Sequence, residues 1–125
     1  MLNQAIIKAF IPTIDPSLSK KFYQEILGLN LISEDDYALE FEANGTKLRI
    51  TTVESYDPYP FTVLGWNVSD IETVVHSLKR NDIVFETFDS LNQNAAGIWI
   101  SPSKAKVAWF KDPNGNLLSL TQMPH

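Results

Sequence analysis

Residues 37–50 of the chain are YALEFEANGTKLRI, a pattern typical of two strands joined by a tight turn. Apolar and polar side chains alternate on both sides of Asn44-Gly45, a dipeptide that accepts the positive φ angles required by a two-residue hairpin turn. Such a turn sets Glu42 opposite Lys47 and Glu40 opposite Arg49, so that opposite charges face each other across the hairpin. The stretch therefore predicts a β-hairpin with a defined register.

The same pattern occurs a second time further along the chain. Asn114-Gly115 repeats Asn44-Gly45 at an offset of 70 residues, and Asp70 repeats Asp15 at an offset of 55. Asp15 or Ser17 can cap the amphipathic helix that follows the first strand, and Asp70 stands where it can cap the second. The two offsets differ by an insertion of 15 residues, which the polar stretch 89–103 accommodates best.

These repeats predict the order β-α-β-β-β twice, in module 1 (about 1–56) and module 2 (about 61–125) of a single domain spanning 1–125. We expect an α+β fold in which a curved mixed sheet surrounds a cleft and the helices cover its outer face. The predicted helix stripes are Leu18, Phe22, Ile26 and Leu29 in the first module, and Ile71, Val74, Val75 and Leu78 in the second. The predicted strands include 5–14, 61–68, 83–88 and 107–110.

The composition excludes several classes of partner and site. Ten basic residues stand against 15 acidic ones, and the net charge of −5 makes nucleic acid and anionic membranes unsuitable partners. No stretch approaches the roughly 20 apolar residues needed to cross a bilayer. The chain has no cysteine, which excludes disulfides and thiolate metal sites and fits a reducing compartment. We therefore expect a cytoplasmic protein.

Two motifs add a family resemblance that covers essentially the whole chain. FYQEILGL at 22–29 and WFKDPNGN at 109–116 resemble motifs of the vicinal oxygen chelate superfamily, which includes glyoxalase I, extradiol dioxygenases, and fosfomycin and bleomycin resistance proteins. The resemblance implies paired βαβββ modules around a cleft, usually completed in a homodimer. It leaves the function open, because this fold carries lyases, dioxygenases, isomerases and binding proteins without catalytic activity.

Metal-dependent members of the superfamily draw their ligands from the first and last strand of each module. The offsets place these positions at Lys8, Arg49, Val63 and Ser119. None of them offers the imidazole or carboxylate donor that a divalent metal requires. His76 lies on the polar face of the second predicted helix and His125 is the last residue, so we expect neither to bind metal. The sequence predicts no metal and no cofactor.

Strand alternation predicts which side chains line the cleft. They are Lys8, Phe10, Glu40, Arg49, Thr51, Val63, Asn67, Trp109, Ser119 and Thr121. Two interpretations of Lys8 and Arg49 remain open: they bind an anionic ligand, or Glu40 and Glu42 already neutralise the cations of the hairpin. Trp109 is either a stacking surface for a planar aromatic ligand or part of the core.

Three functions follow, in order of preference. The first is a metal-free protein that binds a small anionic or aromatic molecule, such as an antibiotic or a metabolite. The second is a metal-independent isomerase or lyase that uses Glu40 as general base with Lys8 or Arg49. The third is a metal-dependent enzyme similar to glyoxalases or dioxygenases. The 89–103 insertion is either a lid over the cleft or a mobile surface loop.

Overall fold

The computed structural model of the chain describes residues 1–124. These residues form two compact units, Met1–Pro58 and a second unit that begins at Tyr59. Each unit contains one four-stranded mixed sheet and one main helix, which confirms the predicted α+β class and the duplicated module. Within residues 1–124, no helix is long and apolar enough to cross a membrane.

The first unit begins with a short 3-10 helix and continues in the predicted order. Its elements are the 3-10 helix Leu2–Gln4, β1 (Lys8–Thr13), α1 (Pro16–Lys21), a π-helical turn (Phe22–Ile26), β2 (Asn30–Glu34), β3 (Ala38–Ala43) and β4 (Thr46–Thr52). The sheet order is β1-β4-β3-β2, with β1 parallel to β4 and the other neighbours antiparallel. The first and last strands of the unit therefore lie side by side.

The predicted hairpin is formed by β3 and β4. Asn44 and Gly45 both have positive φ angles, 49° and 87°, as the two-residue turn requires. Glu40 pairs with Arg49 in the register, as the alternation predicted. The local pattern was sufficient here because strand alternation and turn chemistry both depend on neighbouring residues.

The first helix begins as predicted, but its buried face is different. Asp15 caps it, accepting a hydrogen bond from the Leu18 amide at 3.2 Å. The prediction that Leu18 is buried was wrong, since its side chain is 48% exposed while Ser19 and Tyr23 are fully buried. The Ser19 hydroxyl hydrogen-bonds the buried Thr13 hydroxyl at 2.8 Å, which directs this face of the helix toward the sheet.

The second unit repeats the arrangement with one interrupted strand. Its elements are β5 (Thr62–Asn67), α2 (Ile71–Lys79), β6 (Trp99–Ile100), β7 (Lys106–Lys111) and β8 (Leu117–Gln122). The sheet order is β5-β8-β7-β6, with β5 parallel to β8. Asp70 caps α2 through the Thr73 amide at 3.2 Å. The predicted stripe of α2 is confirmed, because Ile71, Val75 and Leu78 are buried and Val74 is half-buried.

The predicted strand 83–88 is wrong. Only Phe85 forms a bridge, to Phe110 of β7, and the Glu86 amide donates to the Trp109 carbonyl at 2.8 Å. The chain then leaves the edge of β7 and returns to it as β6. The insertion therefore interrupts an edge strand, because its backbone bonds within its own loop instead of with β7.

The second Asn-Gly turn differs from the first. Gly115 has a positive φ of 84°, but Asn114 has an ordinary negative φ, so the two turns are of different types. The buried Asp112 accepts hydrogen bonds from the amides of Asn114 and Asn116, each at 2.9 Å, and from the Asn116 side chain at 2.8 Å. A buried carboxylate organises this turn, whereas positive φ angles organise the first.

We predict that Asp112→Ala lowers the free energy of unfolding by about 2 to 4 kcal/mol, because it leaves buried amide donors without their acceptor. Urea unfolding measures the change. The control is Asp89→Ala, which removes an exposed carboxylate that makes no hydrogen bond or ion pair within residues 1–124. Equal stability of the two variants would contradict the role of Asp112.

Candidate functional site

One face of the first unit's sheet carries the predicted polar residues. Phe10 of β1 pairs with Arg49 of β4, and Arg49 pairs with Glu40 of β3, so these three side chains form a row. Lys8 and Thr51 lie on the same face, two residues from Phe10 and from Arg49 along their own strands. The opposite face of the sheet is buried. The register therefore brings together the five predicted residues of this unit.

Glu40 binds both cations of this face through one oxygen atom. Its Oε1 accepts hydrogen bonds from Arg49 Nη1 at 2.8 Å and from Lys8 Nζ at 3.1 Å. We call Lys8, Glu40 and Arg49 the polar triad. Two positive charges and one negative charge leave the triad with a net charge of +1.

The hydrogen bonds of Glu40 determine its acidity. The Arg49 guanidinium, followed by the Lys8 ammonium, holds the pKa of the Glu40 carboxyl below its ordinary value of 4.5. A carboxylate with a lowered pKa is a weak proton acceptor near neutral pH. This electrostatic setting disfavours Glu40 as a general base.

The second predicted ion pair of the hairpin is not formed. Glu42 lies opposite Lys47 in the register, as expected. Its carboxylate instead accepts hydrogen bonds from the Gly45 amide at 2.6 Å and from the Asn30 side chain at 3.4 Å. Within residues 1–124, Glu42 therefore forms no close ion pair with Lys47, whereas Glu40 forms one with Arg49.

An exposed aromatic ring lies beside the polar triad. Phe10 is 64% exposed, although it occupies a strand in the sheet. The Lys8 ammonium lies 5.9 Å from the centre of its ring, within the range of a cation–π contact. The face thus offers an apolar surface next to two cations.

The second unit has an equivalent row of paired residues across its sheet, but this row contains no charged side chain. Gly65 of β5 pairs with Ser119 of β8, which pairs with Trp109 of β7, at the positions that Phe10, Arg49 and Glu40 occupy in the first unit. Asn67 and Thr121 pair with each other next along the same two strands. Val63 falls at a register irregularity between Thr62 and Leu64 and has no partner on β8 in the register.

Trp109 belongs to an aromatic cluster on this row. Its half-buried indole contacts Phe88 edge-on, with ring centres 5.3 Å apart, and Trp99 at 6.2 Å. Phe110 points the other way and is fully buried against Trp66 and Phe85. Of the two adjacent aromatic residues Trp109 and Phe110, Phe110 is therefore the one that belongs to the core. We call Phe88, Trp99 and Trp109 the aromatic cluster.

Strand alternation placed Gly65 on the same face as Val63 and Asn67 but not among the site residues, and no pattern singled out Phe88. Phe88 follows the interrupted strand, whose path depends on distant hydrogen bonds, so no local pattern placed it beside Trp109. Gly65 has no side chain, and the Ser119 hydroxyl occupies the space a Cβ would need, 2.5 Å from its ideal position. A glycine inside a strand is itself a sign that another group lies close to the backbone at that position.

The residues at the implied metal positions do not fit a metal ion. Lys8 and Arg49 are cations that bind Glu40, Val63 has no donor atom, and Ser119 offers only a neutral hydroxyl. No group of three His, Asp or Glu side chains within residues 1–124 is placed to hold a metal. His76 is exposed on α2, and His125 lies outside the described residues.

The inserted segment is held by side-chain amides. Gln93 accepts a hydrogen bond from the Phe88 amide at 2.8 Å and donates to the carbonyls of Glu86 and Gly97 at 3.0 and 2.8 Å. A cavity of about 630 Å³ lies beside it, on the α2 side of the sheet. Its lining consists of Lys79, Asp82, Ile83, Val84, Phe85, Thr87 and residues 95–97.

Comparison with known proteins agrees with this architecture. The family model described as the Glyoxalase/Bleomycin resistance protein/Dioxygenase superfamily matches residues 5–120. A glyoxalase family protein from Enterococcus faecalis is 23% identical with a TM-score of 0.75, over 97% of this chain and 99% of that one. A comparison with curated proteins finds no match.

Two further solved structures share the fold. A glyoxalase/bleomycin resistance protein/dioxygenase from Alicyclobacillus acidocaldarius is 19% identical with a TM-score of 0.73, over 98% of this chain and 93% of that one. A lactoylglutathione lyase from Agrobacterium tumefaciens is 14% identical with a TM-score of 0.74, over 95% of this chain and 93% of that one. At these identities the similarity shows the fold alone.

We predict that Glu40→Gln lowers the free energy of unfolding by about 0.5 to 1 kcal/mol near neutral pH, the usual range for partly exposed ion pairs. Because folding lowers the pKa of Glu40, its charge stabilises the folded state above pH 4.5, and this contribution is lost as the pH falls through the lower folded pKa. Urea unfolding of both proteins near pH 7 and well below pH 4.5 measures the difference, which shrinks in acid.

The matched control is Glu54→Gln, which removes an exposed carboxylate without an ion pair within residues 1–124. A stability difference for Glu40→Gln that stays constant over this pH range, or that grows in acid, would contradict the electrostatic role of the polar triad.

Proposed function

The chain belongs to the Glyoxalase/Bleomycin resistance protein/Dioxygenase superfamily, and we propose that it is a metal-free member that binds a small molecule without transforming it. The observation that carries this proposal is the polar triad, in which Lys8 and Arg49 share one oxygen of Glu40. Such an arrangement provides charge for recognition but supplies neither a metal ligand set nor a strong base.

The polar triad suits a ligand with an anionic group. Its net charge of +1 leaves one positive charge unmatched, and the side chains of Lys8 and Arg49 are 43% and 30% exposed. Glu40 uses only one amine and one guanidinium nitrogen, so further N–H groups of both cations remain for a second acceptor. A carboxylate or phosphate bound there forms charge-assisted hydrogen bonds.

The aromatic cluster suits a planar apolar group. Trp109 and Trp99 are half-buried on the sheet face that α2 does not cover, so part of each indole is accessible. Ser119 and Gly65 lie beside Trp109 in the same row and carry no charge. Indole rings bind planar aromatic groups through stacking and burial of apolar area.

The same residues make the catalytic alternatives less suitable. A metal-independent isomerase or lyase would need Glu40 as a base, but Arg49 and Lys8 lower its pKa. A metal-dependent glyoxalase or dioxygenase would need oxygen or nitrogen ligands that Lys8, Arg49 and Val63 do not offer. Binding without catalysis requires neither a general base nor a set of metal ligands.

The direct test is a metal analysis of the untagged protein together with a thermal-shift screen of anionic and aromatic compounds. We expect less than stoichiometric metal and a midpoint that rises with the concentration of the compounds that bind the folded state. Stoichiometric divalent metal, or the absence of any shift across the screen, would overturn the proposal.

We predict that Arg49→Gln weakens the binding of aromatic carboxylates about tenfold or more, because one charge-assisted contact is lost. Glu40→Gln strengthens it, because the competing internal carboxylate is gone. Calorimetric titration with the same carboxylate measures both changes. Arg80→Gln is the control, since Arg80 is an exposed arginine of the other unit. Equal weakening by both arginine variants would point to a general charge effect instead.

We also propose that the protein is a cytoplasmic homodimer. The lack of cysteine fits the location. An exposed apolar segment at the N-terminus supports the dimer: Leu2, Ile6 and Ile7 are 76%, 68% and 72% exposed. Several large apolar side chains exposed within one short segment are typical of a surface that associates with another protein.

We predict that the double variant Leu2→Lys and Ile6→Lys shifts the protein from dimer to monomer, because it places charges in an apolar interface. Sedimentation equilibrium over a range of protein concentrations measures the change. Val84→Lys, at an exposed position of the second unit, leaves the dimer intact. A wild-type protein that is monomeric throughout would contradict the proposal.

A further inference from the structure

The inserted segment also lines a second, smaller cavity. This cavity has a volume of about 300 Å³. Its lining consists of Asn92, Gln93, Asn94, Ile98, Trp99 and Ile100. Three side-chain amides and one indole therefore surround it, and none of the lining residues carries a charge.

Hydrogen bonds within the insertion hold the walls of this cavity in place. Gln93 forms a bridge with Trp99, and the Asn94 amide donates to the Ile98 carbonyl at 2.9 Å, so the two walls are arms of a small hairpin. Asn94 Oδ1 accepts hydrogen bonds from the amides of Ala96 and Ile98 at 2.9 and 3.0 Å, which closes the turn between the arms. The cavity is thus formed before any ligand arrives, which lowers the entropic cost of binding.

The three amides differ in what they leave for a ligand. The Gln93 amide is used for the hairpin itself, through one accepted and two donated hydrogen bonds. The Asn92 side chain makes no hydrogen bond within residues 1–124, and Asn94 uses only its oxygen. Asn92 therefore offers an acceptor and two donors, and Asn94 offers the two donors of its nitrogen.

We propose that this cavity binds a neutral polyhydroxylated ring, namely a sugar. Each hydroxyl both donates and accepts a hydrogen bond, which matches a free carboxamide better than it matches a charged group. The apolar indole of Trp99 suits the C–H face of such a ring, while the absence of lining charges disfavours anions and cations. A volume of about 300 Å³ accommodates one ring of this size.

No residue of the polar triad lines this cavity, so the proposal does not depend on the triad. Its ligand is either a free monosaccharide or a sugar attached to a larger molecule. Trp99 belongs both to this cavity and to the aromatic cluster, so an aryl group attached to the sugar has an aromatic surface beside it. The two sources of the sugar ring are separated by the choice of probe.

The test is a saturation-transfer NMR titration of the full chain with glucose, galactose, mannose and N-acetylglucosamine, and in parallel with their 4-nitrophenyl glycosides. A dissociation constant of about millimolar order is expected for a free sugar, because a ligand with few atoms makes few contacts. Saturable binding of the glycosides but not of 4-nitroanisole, which carries the aryl ether without a sugar, assigns the site to the sugar of a larger ligand. Equal binding of 4-nitroanisole assigns the signal to the aromatic cluster and overturns the proposal. Saturable binding of neither series overturns the proposal.

Two variants locate the binding. Asn92→Ala weakens the sugar about fivefold, the effect of losing one or two hydrogen bonds. Asn81→Ala, an asparagine whose amide bonds the Ser77 carbonyl at the end of α2, leaves it unchanged. Asn92 is exposed, so its truncation preserves the fold, and an unchanged thermal midpoint verifies this. Sugar binding that Asn92→Ala does not weaken overturns the proposal.

Arg49→Gln separates this site from the proposed function. Loss of carboxylate binding in that variant with retained sugar binding supports a sugar site that does not use the polar triad. If Arg49→Gln loses both carboxylate and sugar binding, the proposal of a separate sugar site is overturned. If the wild-type protein binds a sugar but no carboxylate, the proposed function fails and the sugar site stands.

Discussion

The pairing register between the first and last strand of each unit determines most of what this protein presents on its surface. In the first unit it aligns Phe10 with Arg49, and in the second it aligns Gly65 with Ser119. Because side chains alternate along a strand, one such pair decides which residues share a face across the whole sheet. A shift by one residue would bury the polar triad and expose the core.

The same scaffold carries two different surfaces because the duplicated rows have diverged. Where the first unit has Arg49 and Glu40, the second has Ser119 and Trp109. The first pair is an ion pair, whereas the second carries no charge and presents an indole. Duplication of a fold therefore does not duplicate its chemistry, since the backbone fixes positions and the side chains decide what those positions do.

The residues that sequence patterns located correctly depend on near neighbours. Asp15 and Asp70 cap helices, and Asn44-Gly45 turns the hairpin, because each acts within a few residues of itself. Leu18 was misplaced because a buried hydrogen bond between Thr13 and Ser19 turned the helix. The predicted strand 83–88 failed for a similar reason, since Gln93 binds the backbone of Glu86 and Phe88 from the far side of the loop.

The sequence by itself determined the duplicated βαβββ order, the hairpin register and the residue types at the implied metal positions, because periodicity, capping and donor chemistry can be read locally. Only the tertiary structure decided that Lys8 and Arg49 share one oxygen of Glu40, that Phe88 reaches Trp109, and that the insertion closes into a hairpin. Apart from the Glu40–Arg49 pair, these contacts depend on strand pairing between distant segments or on the path of a long loop. No local pattern encodes either.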